Sequence, residues 1–425
     1  MSIILHLDFN SFFASVEQQA NPFLRNKAIA VGGKSGGAGT GSTGGRAPLL
    51  ARTVVTTASR EAKALGIKTA MGSMEAMRIL PSLIMIQGDP QKYSEITKRF
   101  LNIMRRYSDA VEQFSTDEAF ADITQAAGDY FGATALALQI KEDIARECGP
   151  YCTVSIGIAP NKLIAKLAGE SRKPDGLTVV PPADVINFID SQPFSAFCGI
   201  GSKTEEKLTE LGISDVKSLR RAPLSLLRSH FKNQGDWLYL AARGAGDDQV
   251  SDKVEDPKSI GHSYTFPYDL ELEAELKTNL LALSDKVAFR MRRDNFYATQ
   301  VSAFVRHARF PGVAGPSSAG AGVGAQHKIK DGISDGLEIY KNAWEIINKI
   351  RDKEMPIRLL GVSVSGLIKS PLPSRLFKKD QKTHRALEAL DEIQNKFGSD
   401  SWRRAATLKT VFLERASGWH YDHEI

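Results

Sequence analysis

Apolar positions in the first half of the chain alternate between short β-rich runs and helical spacings. Residues 3–7 form an apolar run that stops at Asp8 and leads into SFFASVEQQA, where the spacing of Phe12, Val16 and Glu17 predicts a helix. Asp8 is therefore expected at a strand's end. Further strands are expected at 28–31 and 54–57, the latter running into a helix over ASREAKALGI, and a longer amphipathic helix is expected over 91–107. The segment VEQFSTDEAFADIT reads as two short strands joined around Thr116, Asp117 and Glu118, with a helix following over 133–147. A strand over 153–158 breaks at Ala159-Pro160 into the helix NKLIAKLAGES, which places Lys162 in its first turn. Strand, helix, hairpin, helix, strand is the order of a split βαβ sheet.

Past Pro174 the pattern shifts to small helices punctuated by prolines, and CGIGSKTEEKLTELGI reads as helix, Gly-containing turn, helix. The polar, acidic stretch 244–257 reads as an interdomain linker. In the module beyond it, Leu276, Leu280, Leu283, Val287 and Met291 recur at helical spacing, while VSAFV and IRLLGVSVSGL read as strands. Two runs rich in Gly, Ala and Ser, 34–45 and 314–325, lack the apolar content to order themselves and are expected to be surface insertions. From about 370 onward a basic tail is expected, with one helix near 383–396. The fold class is α/β (α+β) and multidomain.

Neighbouring side chains on a regular strand point to opposite faces. Asp117 and Glu118 can serve one cluster with Asp8 only if the chain turns or bulges there. Two divalent ions about 4 Å apart need bridging carboxylates, and hard oxygen ligands favour Mg²⁺ or Mn²⁺. Taken singly, acids at strand ends are ordinary turn residues; three together carry more information. Thr57, Arg60 and Lys63 stand at a strand-to-helix junction, and Lys162 at a helix start, where free N–H groups favour phosphate. Gly199, Gly201 and Lys203 lie in and beside a turn that can hold a nucleic-acid phosphate without reading a base. Six basic residues and one acid lie between Lys286 and Arg309, with Arg290, Arg292 and Arg293 clustered and Arg306 and Arg309 beyond them. Each of these features has a plain structural alternative as a capped helix, a helical hairpin or a favourable helix-end charge.

Overall charge adds little: 55 Lys plus Arg against 49 Asp plus Glu give +6, which suits a polyanionic partner without requiring one. Cys148, Cys152 and Cys198 lack zinc spacing and do not form a secreted disulfide framework. The start MSIILHLDF has no basic region before its apolar stretch, and no run is long enough to span a bilayer. A cytoplasmic protein without membrane association is expected.

The motifs together resemble those of the Y-family of DNA polymerases, in particular its polymerase IV branch. LHLDFNSFFASVE looks like the family's opening motif, FSTDEAFADIT its Ser-x-Asp-Glu-Ala motif and SIGIAPNKLIAKLAGESRKPDG its third signature. CGIGSKTEEKLTELGI is similar to the thumb hairpin and IRLLGVSVSGL to the last little-finger strand, all in the family's order. The resemblance implies a right hand with a ferredoxin-like palm at 1–10 and 75–175, fingers at 11–74, a helix-hairpin-helix thumb at 176–243, a linker at 244–257, a little finger at 258–368 and a basic tail at 369–425. It implies a monomeric, low-fidelity polymerase that adds dNTPs to a primer-template DNA by two-metal transfer, with two Mg²⁺ ions and Mn²⁺ as substitute. Asp8, Asp117 and Glu118 would be metal ligands, joined by the carbonyl of Phe9. Phe12 and Phe13 would contact the nucleotide, with Phe13 at the steric gate against ribonucleotides, and Thr57, Arg60, Lys63 and Lys162 fall where the triphosphate is gripped. The family usually has Tyr and Arg where this chain has Arg60 and Lys63. The sliding-clamp peptide keeps only Leu376-Phe377 of its Gln-Leu-x-Leu-Phe pattern, which puts clamp binding in question. A non-catalytic relative would have lost its carboxylates, and a nucleotidyl cyclase would need neither the hairpin nor a basic third module.

Overall fold

The computed structural model describes residues 2–32, 53–253, 255–308, 322–369, 378–398, 401–408 and 410. They form two compact units, one ending at Val254 and the other beginning at Glu255.

The first unit contains strands β1 (Ile4–Phe9), β2 (Ile29–Gly32), β3 (Val55–Ala58), β4 (Ile84–Gln87), β5 (Val111–Gln113), β6 (Glu118–Asp122), β7 (Val154–Ala159) and β8 (Leu177–Val179). Its main sheet has the order β5-β6-β1-β7-β8, with β1 antiparallel to both neighbours, as in a ferredoxin-like split βαβ layout with one added edge strand. Helices Pro90–Met104 and Tyr130–Glu147 cover one face, burying Leu5, Leu7 and Phe9 of β1 with Phe100 and Ile140. The helix Lys162–Ser171 covers the other, where Ile4 packs with Phe120, Ile164 and Leu167. Burial on both faces explains why β1 reads as a continuous apolar run instead of an alternating one. Its outer residues face different layers, and Ile4, His6 and Asp8 share the side of Lys162–Ser171.

A small sheet of order β3-β2-β4 carries the helices Phe12–Ala20, Arg60–Ala64 and Ser73–Ile79 around it. Ser59 caps Arg60–Ala64 by accepting from Ala62 N, and Asn161 caps Lys162–Ser171 by accepting from Ile164 N at 3.0 Å. Both caps fix where the basic residues of the first turns stand. Five short helices between Val185 and Ala241 form a helical cluster around Ile189, Leu208, Leu219 and Leu238. The acidic stretch that follows is tied down at its start: Asn161 Nδ2 donates to Gly244 O at 2.8 Å, and Lys162 N to Asp247 O at 2.9 Å.

The second unit is a sheet of order β11-β10-β12-β9, with β9 (Ser259–Leu270), β10 (Tyr297–His307), β11 (Val323–Ile333) and β12 (Ile357–Ile368). Helices Glu273–Arg293 and Gly336–Ile350 close one face over Leu280, Val287, Val301 and Val362. One expectation is corrected here and one borne out. Val323, Gly324 and Ala325, assigned by composition to an insertion, pair with Val305, Phe304 and Ala303, because a backbone ladder needs no side chain. The helix expected near 383–396 is present as Lys378–Phe397; it buries Leu387 and is held by the ion pair of its Asp391 with Arg292 of Glu273–Arg293. Residues 34–45 and 314–321 lie outside the described residues, as do Leu376 and Phe377. Among the described residues no helix is long and apolar enough to cross a membrane.

Candidate active site

Asp8 is paired across the sheet with Glu118 on one side and Ser155 on the other. The turn that sequence demanded is present. Phe114 N and Ser115 N both donate to Glu118 O, at 3.1 and 3.0 Å, so two residues oppose one and Asp117 lies outside the regular ladder. Asp117 is held there by Phe9 N donating to its carbonyl at 3.0 Å and by the Ser115 hydroxyl donating to Oδ1 at 2.5 Å. Thr97 Oγ1, donating to Thr116 O at 2.7 Å, pins the same turn to Pro90–Met104. Phe9 itself pairs with Val154 at the end of β1.

Two of the three acids are paired with cations. Lys173 Nζ lies 2.7 Å from Asp8 Oδ1 and from Glu170, while Lys166 contacts Glu118 Oε2. Buried His6 places Nε2 at 3.0 Å from the same Oε2. Burial raises the Asp8 pKa to about 7 against the opposing charge of Lys173, and burial raises that of Asp117 against its bond from Ser115. Burial also works against the charge of Glu118. The bonds from His6 and Lys166 more than offset it and bring Glu118 to about 2. Ligand atoms of His6, Asp8 and Glu118 lie within 4.8 Å of one another. Two ammonium groups drawn onto carboxylates at a strand end stand where the donor set fits hard divalent cations.

Family models match most of the chain: the impB/mucB/samB family over residues 7–170, its C-terminal domain over 257–375 and its HHH motif over 182–213. A DNA polymerase IV of Pelotomaculum thermopropionicum is 32% identical over 423 residues, covering 99% of each chain. The chain belongs to the Y-family of DNA polymerases. A DNA polymerase IV of Streptococcus pneumoniae is 33% identical over 85% of this chain and 96% of its own. Among solved structures, a Y-family DNA polymerase chimera superposes with a TM-score of 0.73 at 27% identity, over 87% of this chain and 100% of the chimera. An insertion ternary complex of Dbh DNA polymerase matches with a TM-score of 0.55 at 26% identity, over the same shares. The activity class follows: a DNA-directed DNA polymerase of the translesion type, a metal-dependent nucleotidyltransferase on a multidomain right-hand fold.

Within this family frame the remaining residues divide. Phe12 is buried, and the half-buried Phe13 ring lies 4.4 Å from the Tyr93 ring, whose hydroxyl donates to Glu17 at 2.9 Å. Thr57 is half-buried on β3, and Arg60 contacts Thr153 Oγ1. Burial lowers the Lys63 pKa, helped by the charge of Lys173 and opposed by Asp8, so Lys63 shares the field of the acids. Lys162 is engaged elsewhere, 3.0 Å from Glu112 and 2.7 Å from Asp247. Sequence reasoning missed Lys166, Lys173 and His6. Lys166 is one turn beyond Lys162, and His6 is two residues before Asp8 on the same strand face; these were the available signals.

Gly199 (φ +113°), Gly201 and Lys203 are exposed; a Cβ at Gly199 would come within 3.0 Å of the Trp237 ring. In the second unit Arg290 donates to Gly261 O at 3.3 Å, Arg293 pairs with Asp294, and Arg306 on β10 has a buried Nε without a partner among the described residues. Arg309 lies outside the described residues. Arg292 departs from the phosphate-binding expectation. Its Nε and Nη2 each donate to Asp391 at 2.6 Å and its Nη1 to Ser334 O at 2.8 Å, so the guanidinium is spent on the C-terminal helix.

Proposed function

We propose that this Y-family polymerase extends a primer on template DNA through a site in which Asp8, Asp117, Glu118 and the Phe9 carbonyl hold two Mg²⁺ ions, with Mn²⁺ as substitute. The observation that carries the reading is the pair of lysines on two carboxylates of one cluster, positive charge gathered where the chain's own acids are otherwise too costly to ionise together. When bound, the ions supply charge stabilisation at the attacking and leaving oxygens of an in-line displacement. The chain's residues do the rest. Asp8, raised to about 7 by burial, is the acid a divalent cation would hold ionised, and Glu118 is held ionised by His6 and Lys166. Lys173, released from Asp8, joins Lys63 and Arg60 as a grip on the dNTP phosphates; Lys162 joins only after leaving Glu112 and Asp247. Phe13, backed by Tyr93, is fixed as a wall under the sugar. In this reading the main sheet is the palm, the β3-β2-β4 sheet and its helices the fingers, the helical cluster the thumb and the second unit the little finger. Lys203, Arg290, Arg293 and Arg306 supply phosphate contacts to the DNA.

Primer extension with each dNTP and Mg²⁺ tests the reading. Full-length chain is expected to add the templated nucleotide, and Phe13→Ala is expected to admit ribonucleotides, since a ring acting by exclusion leaves room when removed. The expected fall in discrimination is at least about tenfold, ~1.4 kcal/mol. Unchanged discrimination in single-nucleotide insertion moves the gate elsewhere.

A further inference from the structure

We infer that His6 is a positioning residue for the metal-binding carboxylate: its Nε2–H fixes the Glu118 side chain through Oε2 and leaves Oε1 for the cation. The inference rests on the site reading above and adds to it a residue that touches neither substrate nor the reacting atoms.

His6 is completely buried, two residues before Asp8 on the same face of β1, paired across the sheet with Phe120 and Gly157. Its ring lies 4.7 Å from that of Phe120. The other side of its cage is backbone. A Cβ at Gly157 would meet Ala165 O at 2.0 Å and Gly169 N at 2.3 Å, so the helix Lys162–Ser171 packs directly on β7. A Cβ at Gly169 would stand 3.1 Å from His6 Nδ1. The ring thus sits under a helix too close to let it swing.

Its polar contacts are one-sided. Nε2 reaches Glu118 Oε2 at 3.0 Å, while Nδ1 is buried with no hydrogen-bond partner among the described residues. A neutral ring protonated on Nε2 donates to the carboxylate and orphans only a lone pair. The other tautomer would orphan an N–H and aim a lone pair at an anion, so the geometry selects the first. A purely structural role would be served better by an apolar side chain such as Ile4, which fills the same layer without a buried unpaired nitrogen. Both side-chain contacts of Glu118 among the described residues fall on Oε2. Lys166, the second of them, is a flexible, partly exposed cation that a metal would displace; His6 cannot leave.

The test is Mn²⁺ binding, followed by electron paramagnetic resonance, to full-length chain with a dideoxy-terminated primer-template and the next dNTP. His6→Phe, which keeps the bulk and loses the donor, is expected to weaken Mn²⁺ about tenfold or more, the usual cost of losing a carboxylate's supporting hydrogen bond. His6→Gln, which returns an N–H donor, is expected to recover most of that loss, with DNA affinity unchanged in both. Unaltered Mn²⁺ binding in His6→Phe overturns the inference, as does equal weakening in both variants, which would make the imidazole a direct ligand. Nitrogen NMR of unsubstituted, metal-free protein gives a reading independent of folding: an Nε2–H tautomer is expected, and an Nδ1–H tautomer overturns it. Asp8→Ala separates the levels. If it leaves Mn²⁺ binding intact the metal-site reading fails; if it abolishes binding while His6→Phe does not, only the role of His6 fails.

Discussion

Each compact unit holds a knot of paired charges, and the two knots are built differently. On the first, Lys173 and Lys166 each meet a carboxylate at a strand end, and the acids beneath them are pushed apart, Asp8 up to about 7 and Glu118 down to about 2. On the second, Arg292 uses Nε, Nη1 and Nη2 on Asp391 and Ser334, and Arg404 spans Asp285 and Asp335 at 2.9 and 3.0 Å. Ammonium point charges on strained acids are exchangeable, whereas bidentate forks with their bonds complete are not. Burial also raises Asp285 in the second knot, so the partner makes the difference between a site and a clamp: replaceable ammonium groups mark chemistry, and completed forks mark structure.

The largest effect that can break this comparison is loss of turnover. Asp8→Ala, or Asp117→Ala with Glu118→Ala, is expected to reduce primer extension by at least about a thousandfold, on the order of 4 kcal/mol, while DNA affinity in a binding titration holds. Affinity depends on phosphate contacts, which these acids do not make. Extension at near unsubstituted rate in either variant would remove the distinction between the two knots.

Next in size is a pH effect on the metal-free protein. Asp8 has a folded pKa of about 7 against an ordinary 3.8, so its contribution to stability is complete below about pH 4 and is lost as pH rises through 7. Glu118 runs the other way, with stability present above its ordinary 4.5 and lost only as pH falls toward 2. Between pH 5 and 8 the acids can therefore be told apart. In chelator, Asp8→Asn is expected to gain stability over the unsubstituted chain as pH rises across that window, by at most about 4 kcal/mol at pH 8, less the loss of the Lys173 pair. A difference that shrinks with rising pH would show that Asp8 is not strained.

For the clamp, removing one partner of a buried pair leaves the other uncompensated, at about 3 kcal/mol. Arg292→Ala and Asp391→Ala are each expected to lower the melting temperature of the second unit and to leave the salt dependence of DNA binding unchanged. Arg306→Ala is expected to do the reverse, reducing the salt slope by roughly 1 with little effect on melting. A flattened slope in Arg292→Ala would return that residue to the DNA interface.

These contrasts follow what was legible along the chain. Asp8 at a strand end and the turn at Asp117 were readable because strand period and residue order are local. The order of the main sheet followed from the succession of elements. Partnerships were not readable: Arg292 and Asp391 are 99 residues apart, and Lys173 and Asp8 are 165 apart. A cluster of arginines looks the same whether its counter-charge is a phosphate or a distant helix. Composition misled at 323–325, where glycine and alanine join a strand because an established neighbour, β10, supplies the ladder.

The smallest effect concerns the cations nearest the acids, where this chain carries Arg60 and Lys63. A guanidinium holds two phosphate oxygens in a fork, while an ammonium is a compact point charge. Arg60 is exposed and its one hydrogen bond among the described residues is to the neutral Thr153 hydroxyl, so it can turn to a phosphate without abandoning an anion. Lys63 is exposed as well, but desolvation and the charge of Lys173 lower its pKa, so part of its charge is already opposed. Arg60→Ala is therefore expected to raise the apparent dNTP dissociation constant more than Lys63→Ala, with roughly tenfold for each ~1.4 kcal/mol of charge-assisted bonding lost. Pre-steady-state insertion at varied dNTP measures both. If Lys63→Ala is the more damaging and Arg60→Ala nearly silent, the grip depends on the cation in the field of Asp8, and the exchangeable knot extends one residue further than Lys166 and Lys173.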